Sequence, residues 1–452
     1  MDTDWVKQEI GGVVLPDERY RKNLATMVSS LNTGWDLSFS RALGESVRKS
    51  AWRLFSSGEL DLQSGHRRAS ISRCDNEQVV LAIEDTTDVN YSSHVGKKGM
   101  GILGGQGRHV KGINIHTSML IKESGEPLGI AYQRIWSPNA NHQGTNRRQY
   151  AIEDKESYKW ILALRTLNSL WENKTTHRVI KIADREADFY ELYEHDRSQG
   201  VELLIRVQQK KRWLLHEGKP CQVKDVISNL VPLGFAEVLV RATKNTKERR
   251  ATVGLYASPI ALTVPSDQKY TKKIAPLAMN LVWLKEQNPP DEGSALEWIL
   301  MTTLHIDNFE NISKIVNYYT RRWVIERFHY ILKQGLQIEK LQIDTLERLQ
   351  NALQIYSIVA WHLLWIYKVG NQNSKAEAID YFDKESIEIL QLVSAKQIVS
   401  VADFILALAS LAGFKSSKKQ PFPGEKTLWL ASQRFISIKS GFLKAKQFYG
   451  TG

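Results

Sequence analysis

The sequence predicts an α/β fold, with a strand-rich centre flanked by helical amino- and carboxy-terminal regions. Three observations lead there. Apolar residues recur at spacings of three and four up to about residue 72, buried-strand runs that end in an aspartate follow, and a β-like stretch from about 201 to 300 precedes a return to helical spacing. At 452 residues the chain is long for one domain. Three are therefore assigned: 1–72, helical; 73–369, α/β with a β-rich insertion at about 201–300; and 370–452, helical.

The composition, 42% hydrophobic and 24% charged, is that of an ordinary globular protein able to bury a core. A formal net charge of +12 favours polyanionic partners, either nucleic acid or an anionic membrane surface. Cys74 and Cys221 are too few for a disulfide framework or a zinc cluster, and they fit a reducing compartment. The opening MDTDWVKQEI is acidic and polar, unlike a secretory signal, and no apolar run reaches about 18 residues. A soluble, cytoplasmic protein without membrane contact is expected.

Taken in order, WVKQEI, DERYRKNLATMVSSL and ESVRKSAWRLFSSGEL read as amphipathic helices. Their Arg19, Arg21, Lys22, Arg41, Arg48, Lys49 and Arg53 form either a nucleic-acid-binding surface or the solvated faces of a bundle. EQVVLAIEDTT is a buried strand ending at Asp85; GINIHTSMLIK and PLGIAYQRIW continue an antiparallel meander, the first with Ile113, Ile115, Thr117 and Met119 on one face. The connection HVGKKGMGILGGQGRHVKG lacks the order of a phosphate-binding Walker loop and reads as a flexible turn lying near a phosphate backbone. ESYKWILALRTLNSLWEN is a helix, and THRVIKIADREADFYELYEHD reads as strand, Asp184, helix. VELLIRVQ, AEVLVRA, ATVGLYASPIALTV and MNLVWLKEQ are β-like, and SALEWILMTTL returns to strand. Apolar helices then run from about 345 to 416, before a basic loop, GFKSSKKQPFPGEKTLW.

Asp85 and Asp184 each close a buried strand, where open α/β sheets gather their sites, although a lone aspartate there is usually a cap or a turn former. A third carboxylate stands in YYTRRWVIERFHYILKQG. At about 100° per residue, Tyr319, Arg322, Glu326 and Lys333 share a helix face roughly 60° wide, with Ile325, Phe328 and Leu332 opposite. Read alone, that face is either an ion-pair network or part of a carboxylate site for Mg²⁺ or Mn²⁺ whose cations hold a phosphodiester.

From Asp85 through Lys333 the chain resembles the DDE transposases of bacterial insertion sequences. More narrowly, it is similar to the subfamily with the signature Y-(2)-R-(3)-E-(6)-K, which includes the transposase of transposon five; Tyr319, Arg322, Glu326 and Lys333 match that spacing without gaps. IEDTT and ADREADFYELY carry the two family aspartates, and KESYKW, with Lys155, Glu156 and Trp160, matches a family segment before the second. ESVRKSAWRLFSS is similar to the family's end-binding region, and the tail matches more loosely.

The resemblance implies a ribonuclease-H-like core interrupted by a β-rich insertion, with Asp85, Asp184 and Glu326 as catalytic metal ligands for Mg²⁺, Mn²⁺ substituting. It implies that Tyr319, Arg322 and Lys333 contact DNA near the cut, and that Trp298 stacks on an extruded base; a core aromatic is the plain alternative for Trp298. Arg206, Lys210, Lys211 and Arg212 are expected to line the DNA channel or to be solvated charge. Glu186 is either an outer partner of the site or a helix-start residue, with structure favoured, and the tip with Lys244, Lys247 and Arg249 reads as a phosphate contact. The implied partners are double-stranded DNA bearing terminal inverted repeats, target DNA, and a second copy of the chain in a DNA-bound dimer. The implied reaction is metal-dependent hydrolysis and strand transfer at transposon ends through a DNA hairpin. A divalent-metal nuclease without strand transfer and an inactive DNA-binding regulator are the rival classes; paired-carboxylate glycoside hydrolysis explains neither the charge nor the cationic face.

Overall fold

The computed structural model describes residues 3–33, 39–94, 96–104, 110–138, 151–174, 176–240, 248–265, 275–290, 295–418 and 420–449. Helices α1 (Thr3–Ile10), α2 (Arg19–Thr33), α3 (Phe39–Ala42), α4 (Glu45–Phe55) and α5 (Ser64–Cys74) open the chain. Strands β1 (Val79–Asn90), β2 (Gly101–Ile102), β3 (Lys111–Lys122) and β4 (Pro127–Trp136) follow, then α6 (Tyr158–Trp171), β5 (Arg178–Ala183) and α7 (Tyr190–Glu194). The β-rich stretch holds β6 (Val201–Arg206), β7 (Trp213–His216), β8 (Lys219–Gln222), helix α8 (Val223–Asn229), β9 (Gly234–Val240), β10 (Arg249–Leu262), β11 (Leu277–Glu286) and β12 (Glu297–Thr302). Helices α9 (Phe309–Thr320), α10 (Trp323–Tyr330), α11 (Leu346–Gln372), α12 (Lys384–Ser394), α13 (Val401–Ser410) and α14 (Glu425–Tyr449) complete it.

These elements form two compact units. A sheet unit comprises Glu77–Asp85 and Asn146–Trp323; a helical unit comprises Met1–Asn76, Thr86–Thr145 and Val324–Gly452. In the sheet unit β1, β5 and β6 are parallel, and β12, β11 and β10 continue antiparallel from β6. This is a mixed sheet. Val80–Ile83 and Val179–Ala183 are buried along their length, as parallel strands covered on both faces must be. Helix α6 supplies part of that cover through Trp160, Leu164 and Leu167.

In the helical unit β3 and β4 form an antiparallel hairpin from Asn114 opposite Trp136 to Ile121 opposite Pro127. Strand β3 is buried on both faces from Gly112 to Ile121, and its pairing with β4 shifts register between Ser118 and Met119. The apolar run around Tyr356–Val369 is a buried helix, α11, as its length and pattern predict. Its polar edge receives the strap between α4 and α5. Glu347 accepts the Gly58 N–H (3.0 Å), Asn351 Oδ1 accepts the Leu60 N–H (3.3 Å) and its amide donates to the carbonyls of Phe55 (3.1 Å) and Gly58 (2.8 Å). Gln354 binds the Leu62 N–H and the Leu60 carbonyl, both at 2.8 Å. Side chains thus satisfy backbone groups that no ladder serves. The carboxy-terminal helices share a core in which Phe382 and Phe404 stack at 3.8 Å. Among the described residues no helix is long and apolar enough to cross a membrane.

Candidate active site

The register between β1 and β5 runs from Val79 opposite Arg178 to Ile83 opposite Ile182. Asp85 and Asp184 each stand two residues beyond the last registered pair, and both are half-buried. Asp184 directly follows the last residue of β5, the usual place for a site in such sheets, whereas β1 runs on to Asn90, so the expected strand end at Asp85 is not realised and Asp85 lies within its strand. Their supports differ. Asp184 caps a 3₁₀ turn, Arg185–Ala187, and its Oδ1 accepts the Glu186 N–H at 3.0 Å. Asp85 Oδ2 accepts from the Arg322 guanidinium at 3.4 Å.

Tyr319, Trp298 and Arg206 gather in the same unit. Tyr319 is 3% exposed, and its ring meets Trp298 edge-on at 4.9 Å. Burial pushes the Tyr319 hydroxyl above its ordinary range, against the opposing pull of Arg322 and Arg206, while the charge of Asp184 adds to the rise. Arg206 approaches that hydroxyl without completing a well-formed hydrogen bond. Burial holds the Arg206 guanidinium below its usual range, and one of its nitrogens donates to the Glu297 carbonyl at 3.3 Å. Arg206, Arg185, Lys210 and Glu297 supply the charged lining of a polar cavity of about 310 Å³.

The other expected channel cations divide. Lys210 pairs with Glu297 at 2.6 Å and Lys211 is exposed. Arg212 turns inward, 10% exposed, onto the Asp188 carboxylate (2.7 Å) and carbonyl (2.7 Å). Asp188 also accepts from the Tyr193 hydroxyl (3.0 Å) and the N–H groups of Gln208 (2.7 Å) and Gln209 (3.3 Å), so it fixes the loop that carries Lys210 and Lys211. Lys244 and Lys247 lie outside the described residues. Arg249 pairs with Glu286 on the neighbouring strand.

Glu326 and Lys333 belong to the helical unit. Ile325, Phe328 and Leu332 are fully buried, and Glu326 is half-buried. The helix is not uniform, however. Arg321 and Arg322 donate to the carbonyls three residues back, tightening the chain between α9 and α10, and Ile331–Gly335 widens into a π turn. A single 100° projection across Tyr319–Lys333 therefore does not describe the observed backbone. Lys333 Nζ donates to the Asp88 carbonyl at 2.8 Å and stands 3.9 Å from Glu339, which accepts the Asn90 N–H at 3.1 Å. Lys97 donates to the carbonyls of Leu341 (2.6 Å) and Ile343 (2.5 Å), and burial lowers its ammonium to about 8. The basic connection read as a flexible turn is pinned at this point.

Among the described residues no three His, Cys, Asp or Glu side chains gather into a metal-binding group. Asp85 and Asp184 are a pair of hard oxygen donors, which is what a small divalent cation takes from a protein when water and phosphate fill its other positions. The donor set fits such an ion.

Sequence reasoning missed two features behind this pair. Glu84 and Lys181, both 0% exposed, form an ion pair between β1 and β5. Lys159, 5% exposed, reaches Glu186 at 3.3 Å. A lysine inside the apolar run VIKIA is the one signal that pointed to the first.

Residues 160–361 match a family model described as the transposase DDE domain, which supports a DDE transposase family and a transposase function. The matched span contains Asp184, Trp298, Tyr319, Arg322, Glu326 and Lys333 and begins after Asp85.

Proposed function

We propose that the protein is a cut-and-paste DNA transposase of the Y-(2)-R-(3)-E-(6)-K subfamily, with a ribonuclease-H-like core. The observation that carries this reading is that Asp85 and Asp184 each stand two residues beyond the last registered pair of adjacent parallel strands, with Arg322, Tyr319 and Arg206 gathered in the same unit, in a chain that matches a transposase DDE domain. Asp85, Asp184 and Glu326 would hold Mg²⁺, or Mn²⁺ in its place; when bound, such an ion activates a hydroxyl nucleophile and stabilises the leaving oxygen.

The chain's own cations do the rest. Arg322, Lys333 and Arg206 neutralise the phosphodiester, which the carboxylates would otherwise repel, and Tyr319 positions it. Trp298 stacks on a base turned out of the duplex. Water attacks at the transposon end and frees a 3′ hydroxyl, which attacks the opposite strand to give a hairpin. A second water opens it, and the 3′ ends attack target DNA. Residues 1–72 bind the end sequence, and helices beyond 370 join two copies; the exposed Leu392, Val393 and Val399 support that interface.

The test is cleavage of labelled linear DNA carrying the ends of the encoding element, with Mg²⁺, by the protein and by Glu326→Ala. Hairpin-ended product and strand transfer, both lost in the variant while end binding survives, are expected. Cutting that persists in the variant refutes the role of Glu326. Binding without cleavage by the unsubstituted protein points to a regulator, and cutting without strand transfer or paired ends to a nuclease.

A further inference from the structure

The amino end of α6 carries a charge where physical chemistry disfavours one. Lys159 is the second residue of the helix, so its ammonium stands by the positive end of the helix dipole, and its side chain is only 5% exposed. It is held by Glu186 at 3.3 Å and Glu156 at 3.8 Å. The Lys159 and Lys181 ammonium groups stand 5.9 Å and 5.6 Å from the centroid of the Trp160 ring.

The partner that matters is Glu186. Its carboxylate takes Lys159, while its backbone N–H donates to Asp184 Oδ1 at 3.0 Å. One oxygen of Asp184 is thereby committed to the turn, which fixes the direction of the other. Where Glu186 sits decides where Asp184 points, and a buried lysine on the helix behind the strand decides where Glu186 sits. The Glu186 side chain is 62% exposed, so burial alone does not hold it.

We infer that Lys159 is a positioning residue: through Glu186 it sets the orientation of the Asp184 carboxylate for a divalent cation. The inference rests on the reading of Asp184 as a metal ligand. Outer partners of ligating carboxylates typically change metal affinity by about 10–100-fold when removed.

The experiment is Mn²⁺ titration of the full-length, DNA-free protein, followed by electron paramagnetic resonance, alongside thermal unfolding. Lys159→Met is expected to raise the Mn²⁺ Kd at least about tenfold, with little change in unfolding temperature, and Lys159→Arg to restore it. Glu186→Gln, at an exposed position, breaks the same link and should reproduce the loss even if Lys159→Met folds poorly. Wild-type Mn²⁺ affinity in both Lys159→Met and Glu186→Gln, with binding abolished in Asp184→Asn, overturns the positioning role and leaves the site reading intact. Wild-type affinity in Asp184→Asn overturns the site reading and the positioning role with it. Loss that merely tracks a lowered unfolding temperature, without rescue by arginine, also overturns it.

Discussion

Lys181 and Glu84 lie fully buried between two parallel strands, and breaking their pair should be among the most damaging single changes in the sheet unit. At contact distance, roughly 3 Å, and an effective dielectric near 20, their attraction is about 5 kcal/mol. It offsets the desolvation of both ions. Lys181→Met removes the attraction and leaves the Glu84 carboxylate buried, so the expected loss is about 3–5 kcal/mol. Adding Glu84→Leu removes the second buried charge as well and should bring stability back to within about 1 kcal/mol of the parent or above it. Burial favours the neutral form of Glu84 once the Lys181 ammonium is gone, raising its folded pKa, so the single variant's deficit is full above that raised value. It fades as pH falls towards the ordinary glutamate range, where the unfolded chain also protonates. Urea unfolding of the parent, both single variants and the double variant at several pH values gives the coupling energy. A loss below about 1 kcal/mol in Lys181→Met at neutral pH would refute the reasoning, because it would mean that Lys181 is neutral in the fold or that water reaches it.

Two further predictions concern the helical unit. Burial holds the His362 imidazole, stacked on Trp5 at 3.8 Å, down to about 3. Its folded pKa lies below the unfolded value, so it costs nothing above about 6.5 and stability falls as pH drops from there towards 3; about 2 kcal/mol should be gone by pH 5. Urea midpoints of His362→Gln should lose that slope, and an unchanged slope would disprove it. Asn351 makes three hydrogen bonds to the strap between α4 and α5. Asn351→Leu strands those backbone groups at about 1–3 kcal/mol each. The expected result is faster proteolysis within residues 56–63, and an unchanged rate would count against the strap being held there.

Much of this was legible in the sequence because it depends on local pattern. The buried runs before Asp85 and Asp184 are apolar except for Glu84 and Lys181, and a nearly continuous apolar run is how a strand covered on both faces reads. Ile325, Phe328 and Leu332 recur at helical spacing and are all buried. What was hidden depends on pairing across distance. No local pattern says that β1 lies beside β5, and only that register makes Asp85 and Asp184 neighbours. Arg212 reads like Lys210 and Lys211 in sequence, yet it turns inward because Asp188 is there to receive it. The tightening at Arg321 and Arg322 and the π turn at Lys333 depart from a uniform helix with no glycine or proline before Gly335 to announce them.

The two aspartates also explain why so much charge lies in and around these strands. Adjacent strands are about 4.8 Å apart, so carboxylates carried on neighbouring strands each need a partner of their own. Asp85 has Arg322, and Asp184 has the turn N–H of Glu186. Behind the strands, the Lys181–Glu84 pair ties β1 to β5 through side chains as well as backbone, and Lys159 holds the turn that holds Asp184. An apolar rear face would pack as well and avoid the desolvation cost. It would not resist a relative slip of the two strands in the same way, because apolar contacts tolerate small shifts that a buried ion pair does not. A local rule of core composition is broken where neighbouring strands carry two like charges, as expected where function sets the constraint.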